Sequence, residues 1–224
     1  MKKTYKNKIA VLIILIIILI LLIIRNHVPN SSTRWVSVED IEASLPQHPI
    51  TIGLDVDDTV FFSSPGLYYI MNNNDGPDGK NLYENEIFRS QRFWNDLSCK
   101  YDIFSMPKNS AIKLLEMHKK RGDRIFFITA RVQPEGEEIL TKCLHKAFKL
   151  TNQPKTIFSG NTPKTKFIKE NNIELFYGDS DSDITQAHNA NIRAIRIERS
   201  PLSVNKTNYS PSAFGEEILE NSAD

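Results

Sequence analysis

Two clusters of carboxylates follow apolar stretches of strand length in this chain of 224 residues. The acidic residues are Asp55, Asp57 and Asp58 in the first cluster and Asp179, Asp181 and Asp183 in the second. Burying a carboxylate without a partner costs several kcal/mol, so carboxylates at strand ends usually hold a metal ion or take part in chemistry. Two parallel strands that end side by side would bring both clusters to one sheet edge, where open α/β folds bind ligands. The pattern therefore predicts a Mg²⁺-dependent phosphoryl-transfer site.

Asp55 and Asp57 are suited to different steps of such a transfer. A carboxylate such as Asp55 can attack phosphorus to form an aspartyl-phosphate, which divides a difficult hydrolysis into two easier steps. A second carboxyl, Asp57, can protonate the leaving oxygen and later deprotonate the attacking water. Mg²⁺ takes oxygen ligands and offsets the repulsion between the anionic nucleophile and the phosphate. We expect Asp179 as a further metal ligand, Asp183 to hold a metal-bound water or orient a lysine, and the Thr59 hydroxyl to support the site.

Two more elements are expected to bind the phosphate. A predicted strand ends in Thr129-Ala130-Arg131, which offers a hydroxyl and backbone N–H groups to phosphate oxygens. A lysine is also required to offset the charge of the transferring group. Lys164 is preferred for this role, and Lys166, at the same predicted helix start, is the alternative.

A repeating βα pattern would position these residues. Strands are predicted over residues 50–55, 124–129, 155–158, 173–178 and 192–197. Helices are predicted over residues 107–120 with Pro107 at the first helical position, 134–148, 164–171 and 181–189. Strands that alternate with helices are typical of α/β domains with a mostly parallel, doubly wound sheet.

The stretch between Thr59 and Pro107 breaks this pattern. It contains no obvious parallel strand and is too long for an ordinary connection. A segment rich in Gly, Asn, Asp and Pro covers residues 72–79, and a helical segment with aromatic residues follows it. We expect an insertion at about residues 60–106 to form a small, mainly helical cap over the site. Its aromatic residues are explained as well by the core of the cap itself as by contact with a substrate.

The N-terminal segment differs from the rest of the chain. Several lysines precede an almost unbroken Ile/Leu/Val run from Ile9 to Ile24, which Arg25 closes. A basic region before an apolar core is typical of an export signal, and no small-x-small cleavage site follows it. We expect residues 1–25 to be an uncleaved inner-membrane anchor, with a cleaved signal peptide as the alternative. Residues 26–49 would form a linker and N-terminal arm before a domain over residues 50–224.

Charge and cysteine content set two further bounds. The formal net charge is +1, and no dense Lys/Arg patch with interleaved aromatics is present, so duplex nucleic acid is not an expected partner. Cys99 and Cys143 lack the spacing of a metal or redox motif. Whether the two cysteines pair stays open at this point.

The order of these motifs resembles the haloacid dehalogenase (HAD) superfamily of phosphohydrolases. The shared elements are Asp-x-Asp-x-Thr, a hydrophobic strand followed by Thr, then Lys, then Gly-Asp-x-x-x-Asp. Within that superfamily, the chain resembles the bacterial class B acid phosphatases in residues 54–66, 93–94, 117–123, 176–185 and 213–217. The similarity extends over roughly residues 35–224 and implies a HAD-like Rossmannoid fold with a cap inserted after the first strand.

The resemblance implies an exported, periplasmic phosphomonoesterase of broad specificity that acts on nucleotides and other organic monophosphates. It also implies phosphate transfer to alcohols and assembly as a homotetramer. Carried over by position, Asp55 is the nucleophile and a Mg²⁺ ligand, and Asp57 is the acid/base that adds its main-chain carbonyl to the metal. Thr129 and Lys164 bind phosphate, and Asp179 completes the metal shell.

An apolar wall that holds a base or aryl group is implied near Leu67, Tyr68 and Trp94. Leu67 stands where this family commonly has an aromatic residue, and Ala130 stands where it has glycine. We expect Ala130 to cause a modest loss of activity. Members of this family are usually released from the membrane by cleavage of the signal peptide. A retained anchor would instead keep this protein attached to the membrane.

Two other functions compete with a broad acid phosphatase. One is a HAD phosphotransferase or phosphatase of narrow specificity, in which an alcohol replaces water or a single ester is accepted. The other is a membrane-tethered binding protein that keeps the fold without catalysis. A binder has no need of the nucleophile and acid pair, so Asp55 and Asp57 favour an enzyme.

Overall fold

A computed structural model of the protein describes residues 33–83, 90–160 and 162–224. The strands of this part are β1 (Arg34–Val36), β2 (Thr51–Leu54), β3 (Phe61–Phe62), β4 (Met106–Pro107), β5 (Arg124–Thr129), β6 (Ile157–Phe158), β7 (Leu175–Gly178), β8 (Arg193–Arg196) and β9 (Glu217–Leu219). The helices are α1 (Val38–Ser44), α2 (Ser64–Asn72), α3 (Gln91–Cys99), α4 (Asn109–Arg121), α5 (Leu140–Ala147), α6 (Lys164–Glu170) and α7 (Asp181–Asn189). Single 3₁₀ turns cover Pro77–Gly79 and Tyr101–Phe104.

The central sheet of the described residues has the strand order β1-β9-β8-β7-β2-β5-β6. Each neighbouring pair in it is parallel. Strand β2 lies between β7 and β5, with Leu54 level with Tyr177 on one side and Phe127 on the other. The residues that follow β2 and β7 therefore emerge at the same edge of the sheet.

The sheet is covered on both faces, as its sequence pattern requires. In β5, Ile125 and Phe127 belong to one buried apolar cluster, and Phe126 and Ile128 belong to another. The first cluster includes apolar residues of α4 and α5, and the second includes residues of α6 and α7. Successive strand side chains point to opposite faces, so this division places helices on both sides of the sheet. The doubly wound α/β fold is confirmed.

The insertion after β2 has its own small core. Helices α2 and α3 and the turn at Tyr101–Phe104 lie between β3 and β4, which pair with each other antiparallel. The buried apolar residues of the insertion are Leu67, Ile70, Tyr83, Phe93 and Leu97. Much of its aromatic content is therefore used for packing within the insertion itself.

Two predicted helix boundaries are wrong. Pro107 lies in β4 opposite Phe61, and α4 begins only at Asn109. The helix predicted over residues 134–148 is confined to α5, because Pro134 and Gly136 disfavour helix in the first part of that range.

Two strands of the sheet were not predicted. Strands β1 and β9 have three residues each, which is too short for an alternating pattern to be recognised. Trp35 lies in β1, and α1 begins after Ser37, which caps it in a capping box with Asp40.

Two expectations concern features outside the sheet. Within residues 33–83, 90–160 and 162–224, no helix combines the length and apolar character needed to cross a membrane. The predicted anchor over residues 1–25 lies outside the described residues and stays a prediction. Cys99 and Cys143 are both free thiols.

Candidate active site

The two acidic clusters meet at the carboxyl edge of the sheet. Asp55 directly follows β2, and its backbone N–H donates a hydrogen bond of 2.9 Å to the carbonyl of Tyr177 in β7. After Asp55 the chain turns sharply, because the N–H groups of Thr59, Val60 and Phe61 all donate to the carbonyl of Val56. The turn projects the Asp55 side chain toward the end of β7, where Asp179 follows.

Three buried carboxylates at this edge could hold a metal ion. Asp55, Asp179 and Asp183 each offer an oxygen, and these oxygens all lie within 4.8 Å of one another. Asp183 thus joins the cluster through its own carboxylate. The hydroxyl of Thr59 donates to Asp55 Oδ2 at 3.2 Å and lies 3.4 Å from Asp179 Oδ1, so it bridges two of the three carboxylates.

Lys164 neutralises part of this cluster. It is the first residue of α6, it is buried, and its Nζ contacts Asp55 Oδ1 and lies 2.7 Å from Asp183 Oδ1. Burial lowers the pKa of Lys164, but the two carboxylates outweigh that effect and raise it, so the side chain is a permanent cation. Lys166 is exposed and pairs with Glu170 at 3.9 Å, away from the cluster.

A glycine and a helix cap fix the position of Asp183. Its Oδ2 accepts a hydrogen bond of 3.1 Å from the backbone N–H of Ser180, and its own backbone N–H donates to the Ser180 hydroxyl at 3.2 Å, which together form the capping box of α7. A Cβ atom on Gly178 would lie 2.3 Å from the Cβ of Asp183. Position 178 must therefore be glycine for α7 to begin this close to β7.

Asp57 faces a different partner from Asp55. Its two carboxylate oxygens accept hydrogen bonds of 2.6 and 2.9 Å from the guanidinium of Arg131. Arg131 is buried, and its guanidinium also donates to both oxygens of Asp102, at 2.7 and 3.1 Å, and to the hydroxyl of Ser98 at 3.3 Å. Because Ser98 and Asp102 belong to the insertion, Arg131 connects the insertion to Asp57.

Asp179 is held from its outer side by Arg199. The guanidinium of Arg199 donates to Asp179 Oδ2 through both Nε, at 2.7 Å, and Nη2. The same guanidinium donates to the carbonyl and the hydroxyl of Thr207, at 2.9 and 2.8 Å. Arg196, fully buried in β8, donates to the main-chain carbonyl of Asp179 at 2.6 Å. Two arginines thus fix the side chain and the backbone of Asp179.

The crowding of carboxylates perturbs their pKa values. Burial raises the pKa of Asp55 well above its ordinary value, against the opposing effect of Lys164. Burial and the neighbouring Asp183 raise the pKa of Asp179 to about 7, although Arg199 opposes them. Three buried carboxylates that lie this close to one another form an oxygen donor set that fits a divalent cation.

A cavity of about 380 Å³ opens above these groups. Its lining includes Asp55, Asp57 and Lys164, together with Ala130 and the apolar side chains of Leu67 and Trp94. Thr129 is buried, and its hydroxyl accepts a hydrogen bond of 3.3 Å from the backbone N–H of Arg131.

Tyr68 and Thr129 are not among the residues that line this cavity. The side chain of Tyr68 is 60% exposed, because α2 turns it away from the neighbouring Leu67, which is buried. The apolar part of the cavity lining is therefore formed by Leu67 and Trp94 without Tyr68.

Several residues of the site were not predicted from the sequence. Sequence spacing did not indicate the contact of Arg131 with Asp102 or the contact of Arg199 with Asp179. Each contact joins residues at least 20 positions apart. Residues 205–207, which also line the cavity, lie in an irregular segment that carries no motif. An arginine two residues after a strand end, as Arg131 after Thr129, is the one local hint that was present.

The chain matches the family described as HAD superfamily, subfamily IIIB (Acid phosphatase), over residues 30–201. Among its relatives is a class B acid phosphatase of Xenorhabdus bovienii, which is 41% identical over 198 residues that cover 84% of this chain and 79% of the relative. A class B acid phosphatase of Proteus mirabilis is 39% identical over 200 residues, which cover 84% of this chain and 80% of the relative.

A crystal structure of a protein from Clostridium difficile has a similar fold. The two share a TM-score of 0.53 at 17% sequence identity, over 79% of this chain and 96% of the other. This likeness concerns the fold alone.

Proposed function

The chain belongs to subfamily IIIB of the HAD superfamily, the acid phosphatases, and from this membership we propose that it is a Mg²⁺-dependent acid phosphatase of broad specificity. Its substrates would be organic phosphomonoesters such as nucleotides and aryl phosphates. The observation that carries the proposal is the contact of one buried lysine, Lys164, with the carboxylates of Asp55 and Asp183 beside the Asp57–Arg131 ion pair, all in one cavity.

Asp55 is the proposed nucleophile. Its carboxylate oxygen attacks phosphorus, the bond from phosphorus to the ester oxygen breaks, and Asp57 gives its proton to the leaving alcohol. In the second step Asp57 takes a proton from water, whose oxygen attacks the phosphorus of the aspartyl-phosphate. Orthophosphate and the free Asp55 carboxylate result. Lys164, which contacts Asp55 directly, balances the negative charge of the phosphoryl group in both steps.

Asp55, Asp179 and Asp183 are the side chains that would hold Mg²⁺, with the main-chain carbonyl of Asp57 as a further proposed ligand. The fit follows from three buried carboxylates within 4.8 Å of one another, a donor set of hard oxygen atoms. When bound, Mg²⁺ would supply charge that offsets the repulsion between the carboxylate nucleophile and the phosphate.

The pH optimum is expected to be acidic. Burial raises the pKa of Asp57, but the ion pair with Arg131 outweighs it, so the pKa is lowered from its ordinary value. A group with a lowered pKa loses its proton at lower pH, so the acid form needed for leaving-group departure is depleted as pH rises. The pH profile of kcat/KM with an alkyl phosphate checks this, and a rate that rises steadily above about pH 8 would contradict it.

The first test is an activity assay. The purified protein is given p-nitrophenyl phosphate and a panel of nucleoside monophosphates at about pH 5–7, with Mg²⁺ and with EDTA. We expect phosphate release from many esters with Mg²⁺ and its loss with EDTA. If folded protein with Mg²⁺ present releases phosphate from none of these esters, the result would argue against a broad phosphatase and for the narrow-specificity enzyme or the tethered binder.

Transfer of phosphate to alcohols, assembly as a homotetramer and residence in the periplasm are further proposals that rest on the family. Transfer is measured as the fraction of released alcohol that is not matched by free orthophosphate when glycerol is present. Sedimentation gives the oligomeric state. Fractionation of cells with and without detergent tests whether the enzyme is tethered to the inner membrane or free in the periplasm.

A further inference from the structure

The cationic side chains at the cavity differ in whether they are neutralised. Arg131 pairs with Asp57, Arg199 pairs with Asp179, and Lys164 contacts two carboxylates. Lys206 also lines the cavity, but no other described residue forms a hydrogen bond or an ion pair with its side chain. Lys206 therefore offers a cation that the protein itself does not use.

The backbone that carries Lys206 is fixed on both sides. On one side, Ser203 donates to Asp58 Oδ2 at 2.6 Å and accepts from the backbone N–H of Asn205 at 3.0 Å. On the other side, Thr207 accepts two hydrogen bonds from Arg199. These bonds tie the segment to the turn after β2 and, through Arg199, to Asp179. The backbone from which the exposed Lys206 side chain extends thus has a defined place relative to the metal cluster.

The surroundings of Lys206 specify the part of the substrate that it would meet. The reacting phosphoryl group belongs beside Asp55 and Lys164, so the remaining lining residues face the leaving group. Among them are apolar Leu67 and Trp94 and the polar segment 205–207. A volume of about 380 Å³ is near the small end of the range for ligand sites, which suits a compact leaving group.

We infer that Lys206 selects phosphomonoesters whose leaving group carries a second anionic group, either a carboxylate or another phosphate. This inference rests on the proposed phosphatase function of the same cavity. Lys206 is exposed, and its unpaired ammonium group beside the cavity attracts such an anion, whereas a neutral leaving group gains nothing from it. Lys206 is thus a specificity-determining residue, distinct from the groups that act on phosphorus.

The test compares esters that differ in a single group. Glycerol 1-phosphate is the neutral reference, 3-phosphoglycerate replaces its CH₂OH with a carboxylate, and glycerol 1,3-bisphosphate carries a second phosphate on its terminal hydroxyl. For each anionic ester, kcat/KM is divided by the value for glycerol 1-phosphate, in the unchanged protein and in Lys206→Gln and Lys206→Glu. Intrinsic reactivity cancels when these ratios are compared between proteins.

We expect Lys206→Gln to lower the anionic-to-neutral ratio about three- to fivefold, the size of a solvent-accessible charge interaction. Lys206→Glu should lower it further, because repulsion replaces attraction, and added salt should shrink both effects. A loss for only one of the two anionic esters supports the inference and identifies carboxylate or phosphate as the recognised group.

Lys155→Gln is the matched control, since Lys155 is exposed and does not line the cavity. Its ratios should equal those of the unchanged protein. Ratios in Lys206→Gln that also equal the unchanged protein, or that fall equally in Lys155→Gln, would overturn the inference while leaving the phosphatase function intact. If the unchanged protein hydrolyses none of the three esters nor p-nitrophenyl phosphate, the proposed function fails and the inference fails with it.

Discussion

The floor and the wall of the cavity hold their charges in different ways. The floor consists of Asp55, Lys164, Asp179 and Asp183, which lie at the ends of neighbouring strands or the start of the next helix. The wall consists of the insertion, joined to Asp57 through Arg131 and Asp102, and the segment 203–207. In the floor Lys164 contacts two carboxylates that both lie outside the insertion, whereas in the wall Arg131 lies between Asp57 and Asp102, a carboxylate of the insertion.

This difference separates chemistry from control of the substrate. Floor residues are positioned by the parallel sheet itself, so their arrangement follows from the fold. Wall residues are positioned by contacts between distant parts of the chain, which a change in the insertion or the 203–207 segment can alter without disturbing the sheet. We therefore expect substitutions in the floor to abolish turnover and substitutions in the wall to change its efficiency and specificity.

The largest effect is expected from Asp55→Asn. The amide cannot act as a nucleophile, so kcat should fall by about 10⁴-fold or more. The fold should persist, because burial already raises the pKa of Asp55 and a neutral isostere relieves that cost. Phosphate release is measured together with a thermal melt. Phosphate binding with unchanged affinity and no turnover in either protein would instead support the tethered binder.

Lys164→Met should have the next largest effect. It removes the cation from Asp55 and Asp183, so we expect a loss of about 10²–10³-fold in kcat. It should also destabilise the metal-free protein by about 3–5 kcal/mol, the usual cost of leaving buried charges unpaired. Both are measured, by steady-state kinetics and by urea unfolding with EDTA present.

Lys166→Met is the control for this substitution. Lys166 and Glu170 both have side chains that are more than half exposed, and their separation of 3.9 Å makes a weak pair. Its loss should change the free energy of unfolding by less than about 0.5 kcal/mol and leave kcat unchanged. If Lys166→Met abolishes activity and Lys164→Met does not, the assignment of the phosphate-binding lysine must be reversed.

The floor is also the part that the sequence made predictable. Asp55 and Asp179 could be placed together because a carboxylate after each of two parallel strands must emerge at one sheet edge. Lys164 followed from its place at the start of a helix. Strand β5 was predicted with its observed bounds. In these cases the signal lies within a few residues, where periodicity and strand ends determine position.

The wall was less predictable for a physical reason. The contact between Arg131 and Asp102 joins residues 29 positions apart, and Ser203 reaches Asp58 over 145 positions. Such contacts produce no periodic pattern in the sequence, because they depend on how the insertion packs on the sheet. For the same reason, Tyr68 and Leu67 could not be distinguished until the rotation of α2 was known.

A wall substitution, Asp102→Ala, should have an intermediate effect. It leaves Arg131 with only the 3.3 Å hydrogen bond to Ser98 on the insertion side, which should destabilise the protein by about 2–3 kcal/mol. Arg131 would also be free to shift relative to Asp57, and we expect kcat for an alkyl phosphate to fall about tenfold with little change in KM. Chemical denaturation and kinetics give the two values.

Asp102→Asn tests whether this effect depends on charge. Burial raises the pKa of Asp102 despite the opposing effect of Arg131, so the folded protein favours the ionised form of Asp102 less than water does. A neutral amide that keeps an acceptor for Arg131 should therefore cost about 1 kcal/mol, less than alanine does. Equal losses in the two variants would show that charge, rather than the hydrogen bond, is what Asp102 supplies.

Ala130→Gly should have the smallest effect and tests a residue that lies between floor and wall. Ala130 lines the cavity at the end of β5, where its backbone N–H is expected to approach phosphate. Its φ is not positive, so this backbone conformation does not require glycine, and the methyl group adds no backbone strain. We therefore expect kcat/KM for p-nitrophenyl phosphate to change by no more than about twofold. A gain of tenfold or more in kcat/KM would show that the methyl group obstructs the phosphate. Ala130 would then limit the rate of the reaction.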